Sequence, residues 1–176
     1  MSNTPRDRIF GIVVGIVKDV NDPEGQGRIR VDLAFMPGKH ESYWAPVVSA
    51  MAGQGRGAWL MPEVGDEAVV AFDQGDTEHP YILGFTWNGQ DKTPSTTNKE
   101  RMIRSLNGHA IRMLDSTPDS GNKGALIIED AHGNRIVMTN THITIQSRGV
   151  LILDGKTIVL KGPGYNRVVT PNMNPI

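Results

Sequence analysis

The sequence contains no cysteine. That excludes a disulfide scaffold, a thiolate zinc site and a thiol nucleophile, so stability must come from packing or from oligomerisation. Aromatic residues make up only 6% of the 176 positions. No apolar pattern at helical period runs for more than a few residues, which excludes a helical bundle. No run approaches the roughly 18 apolar residues of a membrane span. The opening "MSNTPRDR" has no apolar core of the kind a cleaved leader needs, so the expectation is synthesis in the cytoplasm without a signal peptide. What remains is a chain with 20 Gly and 11 Pro, the composition of an all-β protein rich in turns. Its formal charge is only -1, but unevenly spread: residues 1–100 carry a net -5 and residues 101–176 a net +4. A basic C-terminal half is drawn weakly to an anionic surface, whereas an acidic first half opposes phosphate binding.

The most regular stretch is "ALIIEDAHGNRIVMTNTHITIQSRGVLILDGKTIVLKG", residues 125–162. It holds five short β-prone runs closed by Gly, Asn or Asp: 126–129, 135–139, 142–146, 150–153 and 157–160. Within them apolar side chains alternate as Leu126 and Ile128, Ile136 and Met138, Ile143 and Ile145, Leu151 and Leu153, Ile158 and Leu160. Just upstream, Ile111 and Met113 continue the pattern in "NGHAIRMLD". Period two puts each pair on one face of its strand. Two inward side chains per strand, at roughly 1.5–3 kcal/mol each when fully buried, do not offset an ordering cost of about 1–2 kcal/mol per residue. The stretch is also too short for a single-chain solenoid, whose coils take roughly 20 residues or more. The favoured solution is three copies round a shared axis, each supplying one wall, with these twelve residues as the trimer core. A plain meander packed on the rest of the protein is the alternative. Register is open as well, since Val150 with Ile152 could replace Leu151 with Leu153.

The first half reads as strands with Gly-rich connectors. They are "RIFGIVVGIVK" at 8–18, Arg28 to Leu33 after the turn at Asp22-Pro23, "YWAPVVSAM" at 43–51, "EAVVAF" at 67–72 and "YILGF" at 81–85. Five strands in about 80 residues without a helix predict a small closed barrel of the oligonucleotide/oligosaccharide-binding (OB) kind. Residues 90–105, polar and aperiodic, read as a linker, and 163–176 as an irregular end.

Chemistry-bearing residues are sparse. Asp115, Glu129, Asp130 and Asp154 lie in or beside the repeats, but a general acid needs a pocket that raises its pKa, and turn carboxylates are usually solvated. No catalytic residues and no cofactor are expected. His142 opens a strand, and if it faced a trimer axis three copies would ligate one metal or anion; a solvent-facing histidine is the plainer reading. His40, His79, His109 and His132 have no partners at ligand spacing. "GQGRG" at 53–57 lacks the Lys and Ser/Thr of a phosphate loop. Trp44 and Trp87 are expected to pack the barrel, and Trp59, flanked by glycine, to contact a hub or neighbouring subunit.

The order Asp22-Pro23, Gly27-Arg28-Ile29, Trp44 with Pro46, Pro62 with Gly65-Asp66-Glu67, Val69-Val70 with Phe72, Gly75-Asp76, Pro80, Ile82 to Gly84 and Trp87-Asn88 resembles the N-terminal barrel of contractile-tail spike proteins. These are the puncturing spikes of phage baseplates, type VI secretion and other contractile injection particles. "GALIIEDAHGNRIVM", "ITIQS", "LILDG" and "TIVLKG" are similar to the same family's C-terminal part. The resemblance covers about residues 8–162. It implies an all-β homotrimer: an OB barrel over 1–89, the linker 90–105, an intertwined triple-stranded β-helix shaft over 106–162 and a tip over 163–176. It also implies a trimeric hub protein as partner, a separate tip-capping protein, transient contact with the target cell envelope, no nucleic acid, and a place in a virion tail baseplate or injection particle. The function implied is mechanical piercing by a rigid column. Three departures matter: no lysozyme domain lies between barrel and shaft, the His-x-His pair that binds a tip metal in some members is absent, and the C-terminal β-helix is short. The competing reading is an OB-fold nucleic-acid or glycan-binding module with a β-rich oligomerisation extension.

Overall fold

The computed structural model describes residues 8–34, 41–117 and 121–163, and the backbone of 165–169. The chain divides into two units, Met1–Thr93 and Pro94–Ile176.

In the first unit the Val/Ile-rich run forms β1 (Ile12–Asp19), and the chain turns at Asp22-Pro23 into β2 (Arg28–Asp32). Next come the two-residue β3 (Ala45–Pro46), a minimal hairpin of β4 (Ala52–Gly53) and β5 (Arg56–Gly57), then β6 (Glu67–Phe72), a 3-10 turn at Asp73–Gly75, and β7 (Pro80–Thr86). The main sheet runs β3-β2-β1-β6-β7 with antiparallel pairing. A parallel bridge from Val47 to Ile82 brings its two ends together, so the sheet comes close to closing as an OB-like barrel. Alternation decides the inside: Val17, Ile29, Val31, Leu33, Ala45, Ala68, Val70 and Ile82 are fully buried with Phe72 beside them. Ser42 is buried without penalty, because its hydroxyl accepts from Val31 N at 3.0 Å and donates to Tyr43 O at 2.7 Å.

The expected third strand over 43–51 shrinks to Ala45–Pro46, because Pro46 has no N–H with which to extend a ladder. Trp87 does not pack the barrel. It follows β7 and is 65% exposed, beyond the last buried row. Trp44 is half-buried, with the Arg30 guanidinium 5.6 Å from its ring centroid.

The second unit is a five-stranded antiparallel meander, in spatial order β12-β11-β10-β9-β8. Its strands are β8 (Glu100–Arg104), β9 (Ala110–Leu114), β10 (Ala125–Glu129), β11 (Arg135–Thr139) and β12 (Ile143–Gln146). A separate hairpin pairs β13 (Ile158–Gly162) with β14 (Tyr165–Val169). Three boundaries differ from expectation. Glu100–Arg104, inside the expected linker, is a strand held by pairing with β9. Residues 150–153 form no strand, since 147–157 join no ladder with the described strands, so Leu151 and Leu153 lie outside the sheet. Tyr165–Val169, inside the expected irregular end, is a strand, while 164 and 170–176 lie outside the described residues.

Candidate assembly surfaces

The meander's register assembles its surface. Ile103 stands opposite Ile111, Ile111 opposite Ile128, Ile128 opposite Ile136 and Ile136 opposite Ile145. A second row runs Arg101, Met113, Leu126, Met138, Ile143. Ile111, Met113, Leu126, Ile128, Ile136, Met138, Ile143 and Ile145, the expected trimer-core residues of these strands, therefore share one face with Ile103 of β8. No described residue covers it: Ile143 is 68% exposed and even Ile128, on the central strand, is 43% exposed. Ile158 and Leu160 share a face of β13, with Leu160 exposed.

The reverse face is mixed: Met102, Leu114, Ile127 and Val137 stand half-buried there among polar side chains that are paired with one another. Arg112 Nε donates to Glu100 at 2.6 Å and its Nη1 to Glu129 at 3.2 Å. Hydrogen bonds from Ser95 and then Arg112 hold the Glu100 carboxyl below the usual carboxylate range. Its neighbourhood in turn raises the Arg112 pKa, chiefly through the Glu100 hydrogen bond. Arg135 Nε donates to Gln146 at 2.9 Å. One face is thus aliphatic except for Arg101, whereas the other interleaves aliphatic side chains with paired polar ones.

Three of the four carboxylates weighed for chemistry, Asp115, Glu129 and Asp130, have structural partners. Asp115 pairs with Arg101 and Glu129 with Arg112. Asp130 accepts from the Asn134 amide at 2.7 Å and from the backbone N–H of His132 and Asn134, which lowers its pKa and fixes the β10–β11 turn. His142 precedes β12 and falls on the polar side of the alternation, its Nδ1 2.8 Å from the Thr141 hydroxyl and 3.3 Å from that of Thr139. Among the described residues no three His, Asp or Glu side chains gather at metal-binding distance.

On the barrel, Asp22 organises the β1–β2 turn. It accepts from the backbone of Glu24, Gln26 and Arg28 and takes both Nε (3.0 Å) and Nη2 (2.7 Å) of Arg28. The bidentate guanidinium, the largest cause, holds its carboxyl far below the usual carboxylate range. Trp59, 71% exposed, lays its ring over Gly27 in that turn. A Cβ at Gly27 would sit 2.6 Å from the indole, and φ there is +73°, so only glycine fits unstrained. Sequence reasoning placed Trp59 in a loop but missed Ile103, because "ERMIR" puts charge on both faces and shows no alternation.

An OB-like barrel followed by a meander with one aliphatic face defines a class: a two-unit, all-β module. Comparison with known proteins specifies it. Residues 13–87 match the profile of the type VI secretion system/phage-baseplate injector OB domain. The chain is 27% identical over 146 residues to the type VI secretion system spike protein VgrG5 of Pseudomonas aeruginosa, a match covering 77% of this chain and 18% of that protein. It is 30% identical over 87 residues to VgrG1a of the same species (47% and 14%), and 29% identical over 90 residues to VgrG3 of Vibrio cholerae (45% and 9%). The chain is thus a relative of the baseplate and type VI secretion spike proteins, as the order of motifs implied. It spans less than a fifth of the length of these relatives.

Proposed function

We propose that this chain is the central spike of a contractile tail or injection-machine baseplate, acting as a structural element rather than as an enzyme. Three copies place their meanders as three walls with the apolar faces turned inward and the Arg112, Glu100 and Glu129 faces turned to water. Residues 106–162 then form the shaft, with 147–157 and β13–β14 continuing it as an intertwined triple-stranded β-helix in which Leu151, Leu153, Ile158 and Leu160 meet their copies. The barrel docks on a trimeric hub, and the shaft points at the target envelope and breaches it mechanically when the sheath contracts, with a separate tip protein completing the point. No metal, cofactor or nucleic acid enters this reading.

The observation that carries it is the apolar face running across all five strands of a sheet that the described residues leave uncovered. A soluble monomer rarely exposes an apolar surface so extended, and a narrow closed column with every strand paired is the structure that transmits axial force. The experiment is localisation. Contractile particles purified from cells expressing an epitope-tagged chain are expected to carry gold label at the baseplate end, with three copies per particle by quantitative mass spectrometry. Particles that contract and lack the chain would overturn the proposal.

A further inference from the structure

The sequence holds two Asn-Gly pairs, Asn88-Gly89 and Asn107-Gly108, and the fold treats them differently. Such a pair is chemically reactive, because glycine has no Cβ to keep its backbone nitrogen away from the side-chain carbonyl carbon of the preceding asparagine. Both asparagines are exposed, and both glycines have positive φ, +88° and +95°. In the β8–β9 turn the nucleophilic nitrogen is tied, since Gly108 N donates to Ser105 O at 2.9 Å. The Asn107 carboxamide there receives no hydrogen bond from a described residue. Beyond β7 both conditions reverse. Gly89 N donates to no described residue, and a Cβ on Gly89 would meet nothing within 4 Å. Asn88 Oδ1 accepts from the backbone N–H of Gln90 at 3.1 Å and of Asp91 at 3.0 Å.

We propose that Asn88 is a site of spontaneous covalent modification, deamidation through a cyclic succinimide, and that its turn protects Asn107 from the same reaction. Gly89 N attacks Asn88 Cγ as its proton passes to solvent, a C–N bond forms, and negative charge develops on Oδ1. The N–H groups of Gln90 and Asp91 already point at that oxygen, as donors do in an oxyanion hole. The Cγ–Nδ2 bond then breaks, and the nitrogen takes up a proton from solvent and leaves as ammonia. Water opens the ring at either carbonyl, which leaves an aspartyl or an isoaspartyl residue at position 88. Water is the only co-reactant. Nucleophile and carbonyl carbon belong to one dipeptide, so no translational freedom is lost in bringing them together. The product alters the chain in two ways. It adds a carboxylate beside the cleft lined by Asp66, Glu67 and Asp91. The isoaspartyl form also routes the main chain through the side chain, adding a carbon to the connection that leaves β7 for the second unit.

Trypsin separates the two sites, because the peptides 57–92 and 105–112 each contain a single asparagine. The full chain is incubated in mildly alkaline buffer, native or in concentrated guanidinium chloride, and both peptides are followed by mass spectrometry for exchange of the carboxamide NH2 for OH. Isoaspartyl product shows as a second chromatographic peak of the same mass. In the native chain Asn88 is expected to convert at least roughly tenfold faster than Asn107, the order of effect that oriented donors supply. In guanidinium the difference should vanish, and native conversion should quicken as pH rises, because attack requires loss of the Gly89 amide proton. Equal rates in the native chain, or faster conversion of Asn107, would overturn the proposal. A difference that persists in guanidinium would overturn it as well, since neighbouring sequence rather than the fold would then set the rate.

Discussion

Asp22 shows how far single residues set the barrel's geometry. Its carboxylate satisfies three backbone N–H groups and a bidentate arginine in one turn, and this is why Asp22 and Arg28 belong together in the sequence. Its folded pKa lies below the unfolded value of about 3.9, so its stabilisation is complete above roughly pH 5 and is lost as pH falls through the acid range. Asp22→Asn should therefore lower Tm by several degrees at pH 7, and the gap from the wild-type chain should narrow below about pH 4 in calorimetric scans. A gap of constant size across that range would show that Asp22 acts through shape alone. In the meander, Gly124 has the equivalent weight: φ is +95°, and a Cβ would stand 1.7 Å from Leu114 O. Gly124→Ala should cost about 1–3 kcal/mol or more, read as earlier loss of β structure in a urea titration.

At the scale of the strand, the alternation makes a prediction that ordinary surface mutations would not. Ile128 and Thr144 lie on opposite faces of the same sheet, both open to solvent in a single chain. Ile128→Lys is expected to abolish the trimer by placing three ammonium groups in one apolar core, and Thr144→Lys to leave the mass unchanged; size exclusion with light scattering distinguishes them. Equal tolerance of both would mean that the apolar face is not buried in any assembly. The strands from Ile111 to Ile145 were legible because each repeats aliphatic residues at period two between tight turns. β8 was not, since Glu100, Arg101 and Arg104 charge both its faces and its strand character comes from pairing with β9. Val150 to Leu153 misled in the opposite sense. Four aliphatic residues in a row carry high β propensity but no alternation, so they specify neither a face nor a register, and none of the described strands pairs with them. Trp87 was assigned inward on residue type, but its position after β7 puts it past the end of the buried rows.

For the whole molecule the account reduces to a division of labour. The first unit has a closed core of its own, Val17 to Ile82, and matches the injector domain over residues 13–87. The second has a sheet and no core: among its described residues only Ala110 is a buried hydrophobic. In the proposed trimer such a unit takes its stability from association, so its unfolding should shift to higher temperature with protein concentration while the barrel's core does not depend on it. The most direct test is the solution mass of the full chain by light scattering behind size exclusion, over a wide dilution series. The account predicts about three times the 19.2 kDa chain mass, held on dilution because the core is shared between copies. A well-folded monomer of 19.2 kDa, with the meander protected from hydrogen exchange, would contradict it, since the apolar wall would then have found its cover within one chain.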